Sequence, residues 1–502
     1  MVLPALLCHS FAVLWLVTTI RAAPSDPLAV QLTSGAFRGL TVPNGTDRWL
    51  GIPFAHPPVG SLRFKAPVAI TTPSKTVQDA FSFGDACPQP APTPPSTLNA
   101  PVGEDCLFLN VWRPSNVPVT ANLPVLVWFY GGAYTTGAAS DPTFDPTRIV
   151  QRSAATGKPI LFVSVNYRVN TFGFSAGAGS AEAHILFPAE ETLFRAAIFD
   201  SSTGPFKTDP PASQYDDPGF PTARLLAATG CPAGPESIAC LQRVPFETFM
   251  DISNVMINDT LNQQFLQPSV GPIGSFVTER PSQRLASGNY LRVPVLAGTN
   301  LNEGTKFSQA VFNLSVPPEL EVEVFDQFIN ALFIDPSTIS QSTLDQIHEL
   351  YPANDSSLGG AFNTGDSLFD RAEAWYTDNM FLSPRRRFFD KAASTQKLFG
   401  YFFTEFIPGN DPSLGVFHGS ELALLFGPVP TPVEDDFANQ LTDFYINFVN
   451  DMDPGSPWPQ FTPESRNLLQ LMRNNITVIP DDFLQEKTSF LNSEKVLAEF
   501  QK

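Results

Sequence analysis

Three long apolar runs constrain the fold of this chain more than any other feature. They span residues 123–130, 159–167 and 291–298. Valine, isoleucine, leucine and phenylalanine follow one another in these runs without polar alternation, which is typical of parallel strands covered by helices on both faces. Helical patterns lie around residues 319–333, 438–450 and 483–500. Together they predict an α/β fold, with function expected at the carboxyl ends of the strands.

The N-terminal segment predicts secretion. An apolar run from Val2 to Ile20 is followed by small residues and a proline, which favours a signal peptide over residues 1–22 and a mature domain over 23–502. A transmembrane anchor is the alternative, because the run is near spanning length. However, three less apolar residues interrupt it at positions 8–10, and no basic cluster follows. The prediction is a secreted protein without a stable membrane anchor.

Export changes how the cysteines and asparagines are interpreted. Four cysteines remain after the signal peptide, an even number that predicts two disulfides in an oxidising compartment. Three connectivities are open, of which pairing of neighbours is one; no CxxC motif or histidine cluster supports the alternative of a metal site. The cysteines are Cys87, Cys106, Cys231 and Cys240. Five sequons predict N-glycosylation, at Asn44, Asn258, Asn313, Asn354 and Asn475.

The charge excludes one class of partner. Lys+Arg number 30 and Asp+Glu number 49, which gives a net charge of -19. A surface with this excess of carboxylates repels phosphate backbones, so we expect no nucleic acid partner. Hydrophobic residues make up 43% of the chain, enough for a large core.

One pentapeptide predicts a catalytic serine. Residues 173–177 read Gly-Phe-Ser-Ala-Gly, which matches the G-x-S-x-G turn that presents a nucleophile between a strand and a helix. A serine nucleophile needs a base, and His418 stands in a glycine-flanked loop between apolar segments. Glu303 follows the third apolar run and can orient the imidazole. Singly, each residue could belong to a loop or surface; the order Ser175, Glu303, His418 is that of α/β-hydrolases.

The remaining histidines of the mature chain have contexts that do not suggest catalysis. His56 precedes two prolines in a loop, His348 falls in a helical pattern, and His184 lies on the predicted helix after the serine.

Several segments resemble blocks of the type-B carboxylesterases, in the family's order. Residues 103–112 (GEDCLFLNVW) are similar to a signature of that family. Further similar blocks, two of them typical of its secreted fungal esterase and lipase branch, are residues 50–64, 194–198, 302–304, 416–419, 458–461 and 479–483. The resemblance implies an α/β-hydrolase fold with a central, mostly parallel sheet flanked by helices. It also implies a serine ester hydrolase that forms an acyl-enzyme and uses no cofactor or metal.

The same resemblance implies an oxyanion hole. The backbone N–H groups of Gly132, Ala133 and Ala176 would hold the negative charge that develops on the substrate oxygen. The family usually has a third glycine where this chain has Ala133. Alanine keeps the N–H but tolerates fewer backbone angles.

A segment of the family pattern is missing before the serine. Tyr167 and Ser175 are eight positions apart, whereas a parallel crossover needs about a dozen residues or more. The fold is therefore expected to lack one crossover helix and the strand before the nucleophile, and Phe174 stands where the family usually has glutamate. A skipped exon or faulty gene model and a genuine shortened isoform are both open origins. The loss leads us to expect impaired activity.

The loop between the first two cysteines bears on the substrate. It has 18 residues, six of them proline, which disfavours the amphipathic lid helix of the fungal lipases. The prediction is an esterase for small soluble esters rather than emulsified lipid. The alternatives are a catalytically inactive, cholinesterase-like binding protein and a non-functional isoform.

Overall fold

A computed structural model describes residues 26–502 except 93–96, 119, 174–176 and 202–207. The strands are β1 Ala29–Leu32, β2 Gly35–Arg38, β3 Leu40–Val42, β4 Thr46–Pro53, β5 Val77–Asp79, β6 Phe108–Pro114, β7 Val125–Trp128, β8 Leu161–Val165, β9 Ala197–Asp200, β10 Val295–Asn300, β11 Leu398–Phe403, β12 Asn467–Leu471 and β13 Thr477–Pro480. The α-helices are α1 Thr147–Ala155, α2 Gly177–Leu186, α3 Pro221–Thr229, α4 Ser237–Leu241, α5 Phe246–Asn258, α6 Pro281–Ser287, α7 Glu321–Ala331, α8 Gln341–Leu350, α9 Ser367–Thr377, α10 Ser383–Ala392, α11 Leu422–Leu425, α12 Asp435–Asp451, α13 Gln485–Leu491 and α14 Glu494–Glu499. The predicted signal peptide and the predicted residues Ser175 and Ala176 lie outside the described residues.

The central sheet is divided into two five-stranded halves. The first half has the order β3-β4-β6-β8-β7 and the second the order β13-β12-β11-β10-β9. The pairs β7–β8, β9–β10, β10–β11 and β11–β12 are parallel, and the outer pairs are antiparallel. A separate three-stranded sheet has the order β1-β2-β5. Helices flank the parallel strands, as the α/β prediction requires.

The three apolar runs form β7, β8 and β10, but β7 is not buried as predicted. Val125 is 53% and Val127 44% exposed, whereas every residue of β10 is buried. The reason is topological. Because β7 ends its half-sheet, no further strand covers its second edge within the described residues.

Helix α12 shows how the sequence builds the layer beneath the sheet. Its first turn carries Asp435 and Asp436, which favour the positive end of the helix dipole. Its apolar residues recur every three or four positions and are buried, which is the pattern of a helix that packs one face on a sheet; they include Phe437, Leu441, Phe444 and Phe448. This face joins a core cluster with residues of both half-sheets.

In the described part of the chain, no helix combines the length and apolar character needed to cross a membrane.

Candidate active site

The carboxylate and the imidazole of the predicted triad are brought together. Glu303 follows β10, and His418 lies between β11 and α11. His418 Nδ1 is 2.7 Å from a carboxylate oxygen of Glu303, and the other oxygen of Glu303 accepts the Asn300 N–H at 2.7 Å. Glu303 is fully buried, while the His418 side chain is about one-third exposed. Since Nδ1 is engaged, Nε2 is the nitrogen that can accept a proton from a nucleophile.

Two asparagines attach the His418 loop to the end of β10. The Asn300 side chain donates to the Phe417 carbonyl at 2.9 Å. The side-chain oxygen of Asn302 accepts the Val416 N–H at 3.1 Å, and the Asn302 N–H donates to the Val416 carbonyl at 3.0 Å. Gly415 has a φ of 56°, and a Cβ there would lie 2.5 Å from the Asn302 side chain. The loop therefore needs glycine at this position to approach β10.

Two aromatic rings lie beside the imidazole of His418. The ring centroid of His418 is 5.3 Å from that of Phe307 and 5.0 Å from that of Phe381. Both rings place apolar surface next to the imidazole.

A buried acidic cluster lies behind the pair and was not predicted from the sequence. Burial, together with the nearby Glu303 and Asp200, raises the pKa of Glu421 to about 8. Burial also raises the pKa of Asp200 to about 6, although hydrogen bonds from Tyr445 and Tyr401 oppose the shift. Glu421 accepts a hydrogen bond from the Asn300 side chain. The raised pKa favours the uncharged form of Glu421, which would add no second charge beside Glu303. The sequence feature that could have indicated Glu421 is its position three residues after His418.

The predicted oxyanion residues form a tight turn after β7. Gly132 has a φ of 139°, and a Cβ there would lie 2.0 Å from the Thr136 carbonyl oxygen. Ala133 has a φ of 52°, in the left-handed region that glycine favours. Within the described residues, neither N–H has a hydrogen-bond acceptor. Both remain able to donate to a ligand, and Ala133 adopts a conformation that is strained for alanine.

The predicted nucleophile and Ala176 lie outside the described residues, but their neighbours are described. Gly177, the first residue of α2, donates its N–H to the Tyr130 carbonyl at 2.8 Å. A Cβ on Gly177 would lie 3.2 Å from the Gly131 Cα. The end of the pentapeptide is thus packed against the glycine turn. Between β8 and α2, the described residues contain only a short 3₁₀ turn, Asn170–Phe172.

One large apolar cavity connects these groups. Its volume is about 980 Å³, and His418, Gly132, Ala133 and Gly177 all line it. It continues between β7 and β9, whose residues form part of its wall. The cavity can therefore hold an apolar ligand next to an imidazole and to backbone N–H donors.

The structure pairs neighbouring cysteines. The disulfides are Cys87–Cys106 and Cys231–Cys240, one of the three connectivities left open by the sequence. In its described residues, the loop between Cys87 and Cys106 contains no helix. The five sequon asparagines, Asn44, Asn258, Asn313, Asn354 and Asn475, are all exposed, and their glycosylation remains a prediction.

The other histidines have different surroundings. His348 is 2.7 Å from Asp326, on the neighbouring helix α7, and is not among the residues that line the cavity. His184 does line the cavity; its ring packs near Phe129 and Phe276, and burial lowers its pKa. Among the described residues, only His418 combines a carboxylate partner with a place on the cavity wall.

Comparison with known proteins shows the family of the chain and that a relative has residues which this chain lacks. The sequence model of the carboxylesterase family matches residues 26–175 and 172–491, two pieces that overlap at 172–175. Lipase 4 of Diutina rugosa is 28% identical over 562 aligned positions, more than the 502 residues of this chain, with 94% of this chain and 96% of the relative covered. The relative therefore has residues with no counterpart in this chain.

Two further matches cover nearly the whole chain. Secreted lipase 1 of Botryotinia fuckeliana is 30% identical, with 92% of this chain and 91% of the relative covered. The crystal structure of Aspergillus niger EstA matches the fold with a TM-score of 0.79 at 23% identity, and covers 94% of this chain and 99% of its own. The chain therefore belongs to the carboxylesterase family of carboxylic ester hydrolases and has the α/β-hydrolase fold.

Proposed function

We propose that this chain is a secreted serine esterase that acts on small soluble esters, with activity reduced by the missing segment. The observation that carries the proposal is the 2.7 Å contact between His418 and Glu303 on the wall of the cavity. A neutral imidazole oriented by a buried carboxylate is the general base that a serine nucleophile needs.

The proposed reaction follows the acyl-enzyme route. The Ser175 Oγ adds to the ester carbonyl carbon while its proton moves to His418 Nε2. The N–H groups of Gly132, Ala133 and Ala176 hold the oxyanion. As the carbon–oxygen bond to the alcohol breaks, His418 returns the proton to the leaving alkoxide. Water, activated by the same imidazole, then releases the acid and regenerates Ser175.

The expectation of reduced activity has two supports. The described residues contain no strand between β8 and α2, although the nucleophile turn is normally presented by a strand. Ala133 also adopts a left-handed conformation at the oxyanion turn. Since a misplacement of about 1 Å can reduce a rate about 100-fold, we expect a low turnover.

The substrate and the location rest on separate observations. The described part of the Cys87–Cys106 loop has no helix to serve as an interfacial lid, which favours dissolved esters. Relatives are named lipases, so lipid esters are the alternative substrate. Relatives named as secreted, two disulfides and five exposed sequons support export after cleavage of residues 1–22.

A fluorophosphonate probe tests the proposal. We expect slow covalent labelling of Ser175, identified by peptide mass spectrometry, and no labelling of Ser175→Ala. With p-nitrophenyl butyrate, kcat/KM should fall below about 10⁴ M⁻¹s⁻¹, the lower end of the usual enzyme range. An unlabelled Ser175 would contradict the esterase assignment for this chain, and a kcat/KM within the usual range would contradict the impairment.

A further inference from the structure

In the part of the chain that the structure describes, two strand edges between the half-sheets lack partners. β7 ends the first half-sheet and β9 ends the second, and neither has a neighbour on its other side among the described residues. Such an edge has free N–H and C=O groups and is a template for another strand. Val125 and Val127 on β7 add exposed apolar side chains.

Both edges border the same space. Residues Val125 to Trp128 and Ala197 to Ile198 line the cavity that also reaches His418. We call the part of this cavity between β7 and β9 the strand cleft. Its walls are mostly aliphatic and aromatic and include Leu126, Ile198, Phe426 and Phe448.

The two edges run in the same direction. The Asn450 side chain donates to the carbonyl of Lys158, just before β8, and Arg195, just before β9, donates to the Asn450 carbonyl. The amino ends of both half-sheets therefore meet at the end of α12. At the other end, Gly132 after β7 and Asp200 at the end of β9 line the same cavity. The two edges are therefore roughly parallel and border one cavity from their amino ends to their carboxyl ends.

A polypeptide strand can form hydrogen bonds with both edges of the strand cleft, which a hydrocarbon chain cannot do. An alkyl chain would cover the apolar walls but leave the backbone groups of both edges without partners, each at a cost of about 1–3 kcal/mol. A strand of about four residues, roughly 13 Å long, has the length of β7 and supplies donors and acceptors to both sides.

We propose that the strand cleft binds an extended apolar segment of another polypeptide, which pairs with β7 and β9 and joins the two half-sheets. This is a peptide-binding site of the strand-addition type. It goes beyond ester hydrolysis, since binding requires neither Ser175 nor His418.

Hydrogen exchange with a synthetic strand tests the proposal. The probe is acetyl-Lys-Val-Ile-Val-Val-Lys-amide, added to the full-length secreted protein. We expect at least tenfold slower amide exchange in both Val125–Trp128 and Ala197–Asp200. The control peptide has the same sequence, but the backbone nitrogens of its four apolar residues are methylated. Methylation removes the hydrogen-bond donors and keeps the side chains. It should give at least tenfold weaker binding.

A matched pair of variants locates the site. Val127→Asp places a carboxylate at the edge of the strand cleft and should weaken probe binding at least tenfold. Val255→Asp changes a valine on α5 that is 60% exposed and lies outside the cavity wall, and should leave binding unchanged.

Four results would overturn the proposal: no binding of the probe, protection of only one of the two segments, equal binding of the methylated peptide, or protection by dodecanoate but not by the probe. The last would make the cleft an acyl-chain pocket. Since the measurement does not involve hydrolysis, none of these results depends on whether the chain is an active esterase.

Discussion

The Glu303–His418 side and the Gly132–Gly177 side of the site differ in what holds them. Glu303 and His418 are attached to β10 by Asn300 and Asn302, and β10 is paired with a strand on each side. Gly132 and Gly177 follow or adjoin β7, which has one free edge. The comparison shows that Glu303 and His418 are positioned by one half-sheet alone, whereas Gly132 and Gly177 depend on β7 at the centre of the sheet.

The largest effect is expected when the imidazole is removed from the Glu303–His418 side. His418→Gln should reduce the rate of fluorophosphonate labelling of Ser175 by about 10³-fold or more, because no other described imidazole has a carboxylate partner on the cavity wall. His348→Gln removes the other histidine with a carboxylate partner and should leave the rate unchanged. Equal rates for the wild type and His418→Gln would mean that the base does not act on this serine.

The next effect concerns the acidic cluster on the same side. The folded pKa of Glu421 is about 8 against an ordinary value of 4.5, so the folded state retains a proton that the unfolded state loses between these values. The contribution of Glu421 to the free energy of unfolding should therefore fall as pH rises from 4.5 to 8. In Glu421→Gln this contribution is absent. As pH rises from 4.5 to 8, the free energy of unfolding of the variant should therefore increase by about 3–5 kcal/mol relative to that of the wild type.

Urea titrations at several pH values measure the difference. Glu486→Gln, at an exposed position, is the control and should follow the wild type. A Glu421→Gln variant whose stability falls with pH as steeply as that of the wild type would contradict the raised pKa.

On the Gly132–Gly177 side, two adjacent glycines should respond differently to an added methyl group. Gly132→Ala places a Cβ 2.0 Å from the Thr136 carbonyl oxygen, whereas a Cβ at Gly131 meets nothing within 4 Å. Gly132→Ala should lower the free energy of unfolding by about 3 kcal/mol, since the turn must move to admit the methyl group. Gly131→Ala should be close to neutral. Thermal unfolding of the two variants compares them, and equal Tm values would show that the turn is loose.

The smallest effect is expected from a substitution that relieves backbone strain in the turn after β7. Ala133→Gly should stabilise the protein by about 1 kcal/mol, because φ at this position is 52° and glycine adopts it without steric cost. The control, Ala154→Gly, lies inside α1 and should destabilise by about 0.5–1 kcal/mol. Chemical denaturation gives both values. A loss of stability in Ala133→Gly would exclude strain as the weakness of this side.

The parts predicted from the sequence are those that depend on local pattern or on chain order. The three apolar runs identify β7, β8 and β10, and the helical pattern at 438–450 falls within α12. The contact between Glu303 and His418 agrees with the order of these residues after successive strands. The helical pattern at 483–500 is divided into α13 and α14 by Asn492 and Ser493, which end one helix and cap the next.

The parts not predicted depend on which elements become neighbours. An apolar run does not reveal that its strand will lack a partner, so the exposure of Val125 and Val127 could be found only from the assembled sheet. The acidic cluster likewise brings Asp200 and Glu421 together from distant positions. The spacing between Tyr167 and Ser175 indicated a missing strand, but not that the remaining halves would keep an open cavity between them.

Helix α12 has a consequence for cooperativity. On one side it forms ion pairs with Arg152 and Lys158 of the first half, each at 2.6 Å. On the other, Tyr445 donates a hydrogen bond to Asp200, and Phe448 packs on Phe399 of the second half. If either half detached, the apolar face of α12 would be exposed to water, although the other half still packs on that helix. The two halves are therefore expected to melt in a single transition, like one domain rather than two.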